Sequence, residues 1–192
     1  MKTVGLLARG YLLWCGYIFR PGYVKKLYDR WSQYYDADFT NRRWVGPQTL
    51  ARNVSDTFNT AAKDLRILDV GIGTGLLAQE FKRQNSYHHV TGLDISAGMI
   101  EKCREKQVAD RLLRIDFQKK GFPFEEESFD LVVSSGVFEL LNKPDTVIKE
   151  MGRVLRPSGI FAFTVYGGKP ADYNCNRHPD ELIENAIVDA GM

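Results

Sequence analysis

Cysteine is scarce in this sequence: Cys15, Cys103 and Cys175 are an odd number at wide spacing. With no CxxC pair and no Cys/His cluster, neither a disulfide framework nor a zinc site is indicated, and no metal is expected. Reduced thiols in an intracellular compartment fit this usage. Long apolar runs are also lacking. Two short ones near the N-terminus are interrupted by Arg9, and neither can span a bilayer. A basic stripe is missing too. The chain has 26 Lys and Arg against 24 Asp and Glu, a net charge of +2, and the basic residues after Asp29 are scattered among acids. Nucleic acid is therefore not expected as a partner. There is no internal repeat and no low-complexity tract.

What is present is an ordinary globular composition, 44% hydrophobic and 26% charged over 192 residues. That length suits one domain with a sizeable core. The first 28 residues stand apart, with five basic residues (Lys2, Arg9, Arg20, Lys25, Lys26), no acid, and apolar stretches between them. Three readings stay open for this segment: a docked helix or irregular arm, an organelle-targeting or membrane-surface segment, or a cleaved signal peptide. The expected division is an apolar, basic arm over 1–24 and a single domain over 25–192. The expected location is cytoplasmic, with an organelle-targeted or membrane-associated form through residues 1–28 as the alternative.

From Arg66 onward, short β-branched runs alternate with helical patterns, as in parallel βαβ units. Strands are predicted at Arg66–Val70, His89–Asp94, Leu112–Asp116, Phe129–Ser134 and Ile160–Tyr166. Helices are predicted at Leu76–Arg83, from Ser96 as cap to Lys106, at Pro144–Leu155 and at Pro179–Ala190. Pro157-Ser158-Gly159 reads as a turn. Residues 22–62 look helical but less regular, with Tyr28, Trp31, Tyr34 and Tyr35 crowded beside Asp29, Asp36 and Asp38. Such a cluster serves either packing or a ligand. The fold class that follows is α/β: an open, mainly parallel twisted sheet of Rossmann-like type, with helices on both faces. Ligands of such sheets bind outside the carboxyl ends of the strands.

The chemistry-bearing residues fall at those ends. Asp69-Val70-Gly71-Ile72-Gly73-Thr74-Gly75 joins a buried strand to a helix. Glycines there allow a sharp turn and a close ligand approach, and the following helix is expected to point free amides at the ligand. A tight turn with no ligand is the plainer alternative. Dinucleotide enzymes favour G-x-G-x-x-G. Here Leu76 stands where that pattern has its third glycine, which disfavours a nicotinamide oxidoreductase. A ligand without pyrophosphate fits better, and S-adenosyl-L-methionine (SAM), with its sulfonium and amino-acid tail, is one. Asp94 at the end of the second strand can accept from both ribose hydroxyls; the alternative is a carboxylate capping the Ser96 turn. Asp116 can accept from an adenine amino group while Phe117 covers the base, a weaker signal. Glu139 lies near the expected site but is as easily a capping or paired residue. His88 and His89 read as surface residues. No catalytic residue stands out.

Several segments together resemble the class I SAM-dependent methyltransferases, and within them the methyltransferase type 11 group. Ile67 to Gly75 resembles the first motif of that family, Gly92 to Met99 the ribose-binding segment, Phe122-Pro123-Phe124 with Ser128 to Val132 the entry to strand four, and Arg153 to Gly159 the turn before strand five. Tyr28-Asp29-Arg30-Trp31, Tyr34-Tyr35-Asp36 and Gly46-Pro47 also resemble Williams–Beuren-type methyltransferase-like proteins. The resemblance covers about residues 25 to 190 and implies strand order 3-2-1-4-5. It implies that Gly71, Ile72 and Gly73 line the methionine part of SAM, with Asp69 and Gly75 in the same motif. Asp94 would hold the ribose, with Ile95 and Met99 beside the adenine. Asp116 and Phe117 would hold the base, Ser134 and Ser135 would face the sulfonium and the substrate, and Tyr28 to Tyr35 would form a lid.

Relatives continue past the position of Met192 into two further strands, so a fragment, an alternative product or half of a swapped dimer is expected. Two functional classes follow. One is a SAM-dependent methyltransferase acting on a small molecule, with the apolar N-terminus weakly favouring a hydrophobic one or a membrane surface. The other is a non-catalytic SAM-binding or partner-binding protein. The acceptor and the oligomeric state are not legible.

Overall fold

A computed structural model of the chain describes residues 22–58, 64–85 and 88–164. Three helices come first: α1 (Tyr23–Trp31), α2 (Tyr35–Asn41) and α3 (Gly46–Phe58). Then β1 (Arg66–Val70), α4 (Leu76–Gln84), β2 (His89–Asp94), α5 (Ala97–Lys106), β3 (Arg111–Arg114) and the single turn α6 (Phe117–Lys120) alternate. β4 (Phe129–Ser134), a 3-10 turn (Phe138–Leu140), α7 (Pro144–Val154) and β5 (Leu155–Phe163) complete the described part. The five strands form one sheet in the order β3-β2-β1-β4-β5, and every pair is parallel. This is the order and fold class expected from the sequence.

The strand pleat sorts the core into two layers. Ile67, Val90, Leu131 and Val133 pack with Leu50, Ala51 and Val54 of α3, Leu77, Ala78 and Phe81 of α4, and Ile100 and Cys103 of α5. Leu68, Val70, Leu93 and Val132 of the same strands point the other way, onto Phe117, Phe122 and the stripe Val147, Ile148, Met151 and Val154 of α7. Alternation along a strand buried on both faces produces this division. Pro144 starts α7, where its missing N–H leaves no bond unmade.

Two strands differ from expectation. β3 ends at Arg114, so Asp116 lies beyond it, at the start of α6. β5 begins at Leu155, and the expected turn at Pro157-Ser158-Gly159 lies within it. The register shifts between Phe129 and Leu131, and Ser158 has φ 63°. The extra residues form an irregularity in a continuing strand and not a break before it. The expected helix at 179–190, the expected end of the last strand, and residues 1–21 of the expected arm at 1–24 lie outside the described residues. Among the described residues, no helix is long and apolar enough to cross a membrane.

His88 is a correction. Expected at the surface, it is fully buried at the start of β2. Its Nδ1 accepts the Leu65 N–H at 3.2 Å, and its Nε2 has no partner among the described residues. Burial holds the ring below its ordinary pKa of 6.5, with Lys82 pushing the same way against Asp64. The unfolded chain takes up this proton as pH falls through 6.5 while the folded chain resists. The contribution of this one group to stability is therefore lost on acidification, at up to about 1.4 kcal/mol per pH unit. His88→Gln keeps an acceptor for Leu65 and removes the titration. In thermal melts between about pH 5 and 7 the difference between variant and native chain is expected to move in the variant's favour on acidification; parallel curves would exclude His88 as the source.

Candidate functional site

At the carboxyl ends of the strands, the loops after β1, β2, β3 and β4 surround one cleft of about 380 Å³. Gly71 and Gly73 come from the first loop, Asp94 and Ile95 from the second, Asp116 and Phe117 from the third. Ser135, Gly136 and Val137 follow β4, and Leu140 to Lys143 run from the end of the 3-10 turn to α7. Helix α1 contributes Val24, Lys25 and Tyr28. A smaller cavity of about 20 Å³ adjoins it, lined by Asp69, Thr74, Tyr35, Trp44 and Ser135 among others.

The glycine turn is shaped by close approach. Gly71 has φ 76°, and a Cβ there would lie 2.3 Å from Val137 Cγ2. Its amide and that of Ile72 both donate to Leu93 O, at 2.8 and 2.9 Å. The Gly73 amide donates to Asp94 Oδ2 at 2.9 Å, and that of Gly75 to Ile72 O at 2.9 Å. These four amides of the turn are thus engaged within the protein; the free amides expected from the sequence are those of the following helix, α4. None of the four is left to cradle a phosphate.

Asp94 carries both roles considered for it. Its Oδ1 accepts the Ser96 amide at 2.8 Å and its Oδ2 the Gly73 amide, yet the residue lines the cleft. A carboxylate has about four acceptor positions, so capacity remains for hydroxyls. Burial raises its pKa to about 6 despite the backbone N–H donors that favour the anion. Asp69 is more extreme: 2% exposed, with Oδ2 unpartnered among the described residues. Burial first, and the charge of Asp94 second, push its carboxyl up to about 8. Asp116 pairs with Lys119 at 3.1 Å, and the Phe117 ring packs edge-on against Phe122 at 5.9 Å.

The wall supplied by α1 is fastened by Asp29. Its Oδ1 accepts from Ser96 Oγ at 2.7 Å and the Gly98 amide at 3.1 Å, and its Oδ2 pairs with Lys25 at 2.8 Å. A Cβ on Gly98 would lie 2.6 Å from Ser32 Oγ, so the end of α1 sits directly on the start of α5. Asp36 of α2 accepts from Thr74 Oγ1 at 2.5 Å and pairs with Lys106. The aromatic cluster packs largely on itself, through Trp31–Tyr35 and Tyr35–Phe39 contacts at 4.8 and 4.5 Å between ring centroids. Tyr28 and Tyr35 also face the cleft.

Of the residues singled out in the sequence, Gly71, Gly73, Asp94, Ile95, Asp116 and Phe117 meet at the cleft and Asp69 at the adjoining cavity. Four do not reach the cleft. Ser134 is fully buried and spends its hydroxyl on Val70 O at 2.7 Å, leaving Ser135 to line the opening. Met99 is buried in the core side of α5. Ile72 reaches the small cavity alone and packs beneath Gly92. Gly75 lies behind the turn against Cys103 and Val108. Glu139 does not line the cleft either. Lys25, Gln118, Val137, Leu140 and Lys143 line it without having been anticipated. The basic side chains among them carry no motif signal.

Comparison with known proteins identifies the family and the fold. A family model described as "Methyltransferase domain" matches residues 68–163. The chain is 29% identical over 164 residues to malonyl-(acyl-carrier protein) O-methyltransferase of Priestia megaterium, covering 83% of this chain and 58% of that protein. It is 31% identical over 142 residues to phosphatidylethanolamine N-methyltransferase of Cereibacter sphaeroides, covering 71% and 64%. A crystal structure of a SAM-dependent methyltransferase from Thermotoga maritima superimposes with TM-score 0.65 at 18% identity, covering 87% of this chain and 80% of that one, a likeness of fold. The chain spans 40 to 58% of the length of the first three curated relatives it matches.

Proposed function

Since the chain belongs to the class I SAM-dependent methyltransferases, sharing their methyltransferase domain, we propose that it transfers a methyl group from SAM to a small-molecule acceptor, with residues 25–192 as the unit that carries the activity. The observation that carries this reading is Asp94: a carboxylate fixed on both oxygens by backbone amides, at the tip of β2, facing the cleft beside a glycine turn four of whose amides are engaged within the protein.

The residues present fit the cofactor. Asp94 would accept from the ribose hydroxyls, and Ile95, Asp116 and Phe117 would hold the base. Gly71 and Gly73 would let the methionine part pass close to the backbone. Asp69, buried and with one oxygen unpartnered among the described residues, would meet the cationic amino group of the tail. SAM supplies a methyl group made electrophilic by its sulfonium. The acceptor's lone pair forms the new bond to carbon while the carbon–sulfur pair of electrons returns to sulfur. What the protein must contribute is alignment, and positioning alone supplies roughly 7–11 kcal/mol in well-oriented reactions. Ser135, Gly136 and Val137, next to the glycine turn, with Tyr28 across from α1, would shape the acceptor's approach. Among the described residues no histidine lines the cleft.

The named relatives act on malonyl-(acyl-carrier protein) and on phosphatidylethanolamine, and the second of these acceptors has an apolar body with a polar head. The apolar wall of Val24, Val137, Leu140 and Leu141 suits such a molecule. The test is calorimetric titration with SAM and with its demethylated product S-adenosylhomocysteine (SAH), followed by a screen with methyl-labelled SAM. Binding of both ligands and label transfer to an acceptor are the expected results. A folded protein giving no heat with either ligand would overturn the reading. Binding without transfer to any acceptor would instead favour the non-catalytic alternative.

A further inference from the structure

Three ammonium groups belong to the cleft wall, and they are not equivalent. Lys119 is ion-paired with Asp116 at 3.1 Å, so its charge is matched where the base would lie. Lys25 shares Asp29 Oδ2 at 2.8 Å. Asp29 also accepts from Ser96 and Gly98, which divides its charge, and Lys25 keeps two further N–H donors. Lys143 is exposed, and no partner for its Nζ occurs among the described residues. Its backbone is nonetheless well fixed: the adjacent Asn142 amide donates to Gln118 Oε1 at 2.8 Å, and Pro144 follows as the first residue of α7.

Among the described residues, the carboxylates in the wall are Asp94 and Asp116. One is tied to the glycine turn and the other to Lys119. Among the described residues, the part of the cleft between α1 and the loop before α7 therefore carries two cations with no carboxylate free to match Lys143. Apolar side chains, Val24, Val137 and Leu140, lie in the same wall. Cations beside low-dielectric walls focus a positive potential that draws an anion of complementary shape. A neutral or cationic acceptor would leave that charge unmatched.

On the methyltransferase reading above, we infer that the acceptor is an amphiphile bearing a carboxylate or phosphate, with this anionic group engaged by Lys143 and Lys25 and its apolar body on Val24, Val137 and Leu140. The anionic group is a handle for binding and need not be the atom that receives the methyl group.

Calorimetry on the SAH-saturated protein tests this, with dodecyl phosphate, dodecanoate, dodecyltrimethylammonium and inorganic phosphate as probes, all below their aggregation concentrations. The alkyl anions are expected to bind and the alkyl cation not. The tighter of the two anions identifies the head group as phosphate or carboxylate. Inorganic phosphate is expected to bind at least roughly tenfold more weakly than dodecyl phosphate, since it lacks the apolar body. Lys143→Glu is expected to weaken the alkyl anions by about tenfold or more, the scale of one lost charge-assisted bond, while SAH affinity stays unchanged and so reports an intact fold. Equal binding of alkyl cation and anions, inorganic phosphate binding as tightly as dodecyl phosphate, or anion affinity unmoved by Lys143→Glu would each overturn the inference. Absence of SAH binding at the outset would instead overturn the methyltransferase reading on which it rests.

Discussion

Replacing Asp94 with alanine is expected to weaken SAM binding by about 10–100-fold, the consequence of losing a charged hydrogen bond with a net contribution of roughly 1.5–3 kcal/mol. The carboxylate is held in place before any ligand arrives, because the Gly73 and Ser96 amides each occupy one oxygen. Ribose hydroxyls would meet an acceptor whose ordering has already been achieved in folding, which is why the full contribution should appear in affinity. The same amides complicate the experiment, since alanine leaves both without an acceptor and lowers stability as well. The variant Asp94→Asn keeps one oxygen and the shape of the side chain, and is expected to fall between the native and alanine proteins. Calorimetry at a temperature where all three are folded separates the two effects. Alanine binding SAM as tightly as the native chain would remove the ribose from this position.

The central part of this site was legible because it rests on rules local to the strand ends. Three buried strands, a glycine turn and acids at the tips of β1 and β2 define where a ligand enters a parallel sheet, and Asp69, Gly71, Gly73 and Asp94 stand there. The misplacements come from facts that sequence spacing does not carry. Ser134 and Ser135 are indistinguishable as letters, but β4 ends at Ser134, whose hydroxyl finds Val70 O, and the side that opens begins one residue later. Met99 fits the apolar stripe of α5 with Ile100 and Cys103, and that stripe, not the family motif, decides where it points. Asp116 belongs to the site although its strand ends earlier than expected, since the loop and not the strand delivers it. The fastening of α1 was illegible for a different reason. Asp29 and Ser96 are 67 residues apart, and nothing in either segment announces the other. Lys143 is of the same kind: an exposed lysine in a loop reads as solvated surface until the fold sets it in the wall of a cleft.

Asp69→Asn is expected to strengthen the fold while weakening SAM binding, opposite signs that a merely structural aspartate would not give. In the unfolded chain this carboxyl ionises near its ordinary value of 3.8, whereas in the folded chain burial and the neighbouring Asp94 hold the proton up to about pH 8. At this group the folded state thus binds more protons than the unfolded one across that interval, so its contribution to stability falls as pH rises from about 4 to 8 and is level beyond it. Asparagine has no proton to lose, and at about pH 8 the variant is expected to be more stable by about 1–2 kcal/mol, the usual scale for relieving an unfavourable functional residue. Thermal melts across that range check it: the gap between variant and native protein should widen with pH. Binding runs the other way. A cationic amino group placed beside the carboxyl favours its ionised form, so the native protein should release a proton as SAM binds. Its affinity should then rise between about pH 6 and 7.5, where the amino group keeps its charge, by up to roughly tenfold per unit. Titrations in buffers of different ionisation enthalpy measure that proton directly, and asparagine should abolish most of the release and most of the slope. Melting curves that stay parallel at every pH, or a variant whose affinity climbs with pH as the native one does, would show that Asp69 is neither the strained group nor the partner of the amino tail.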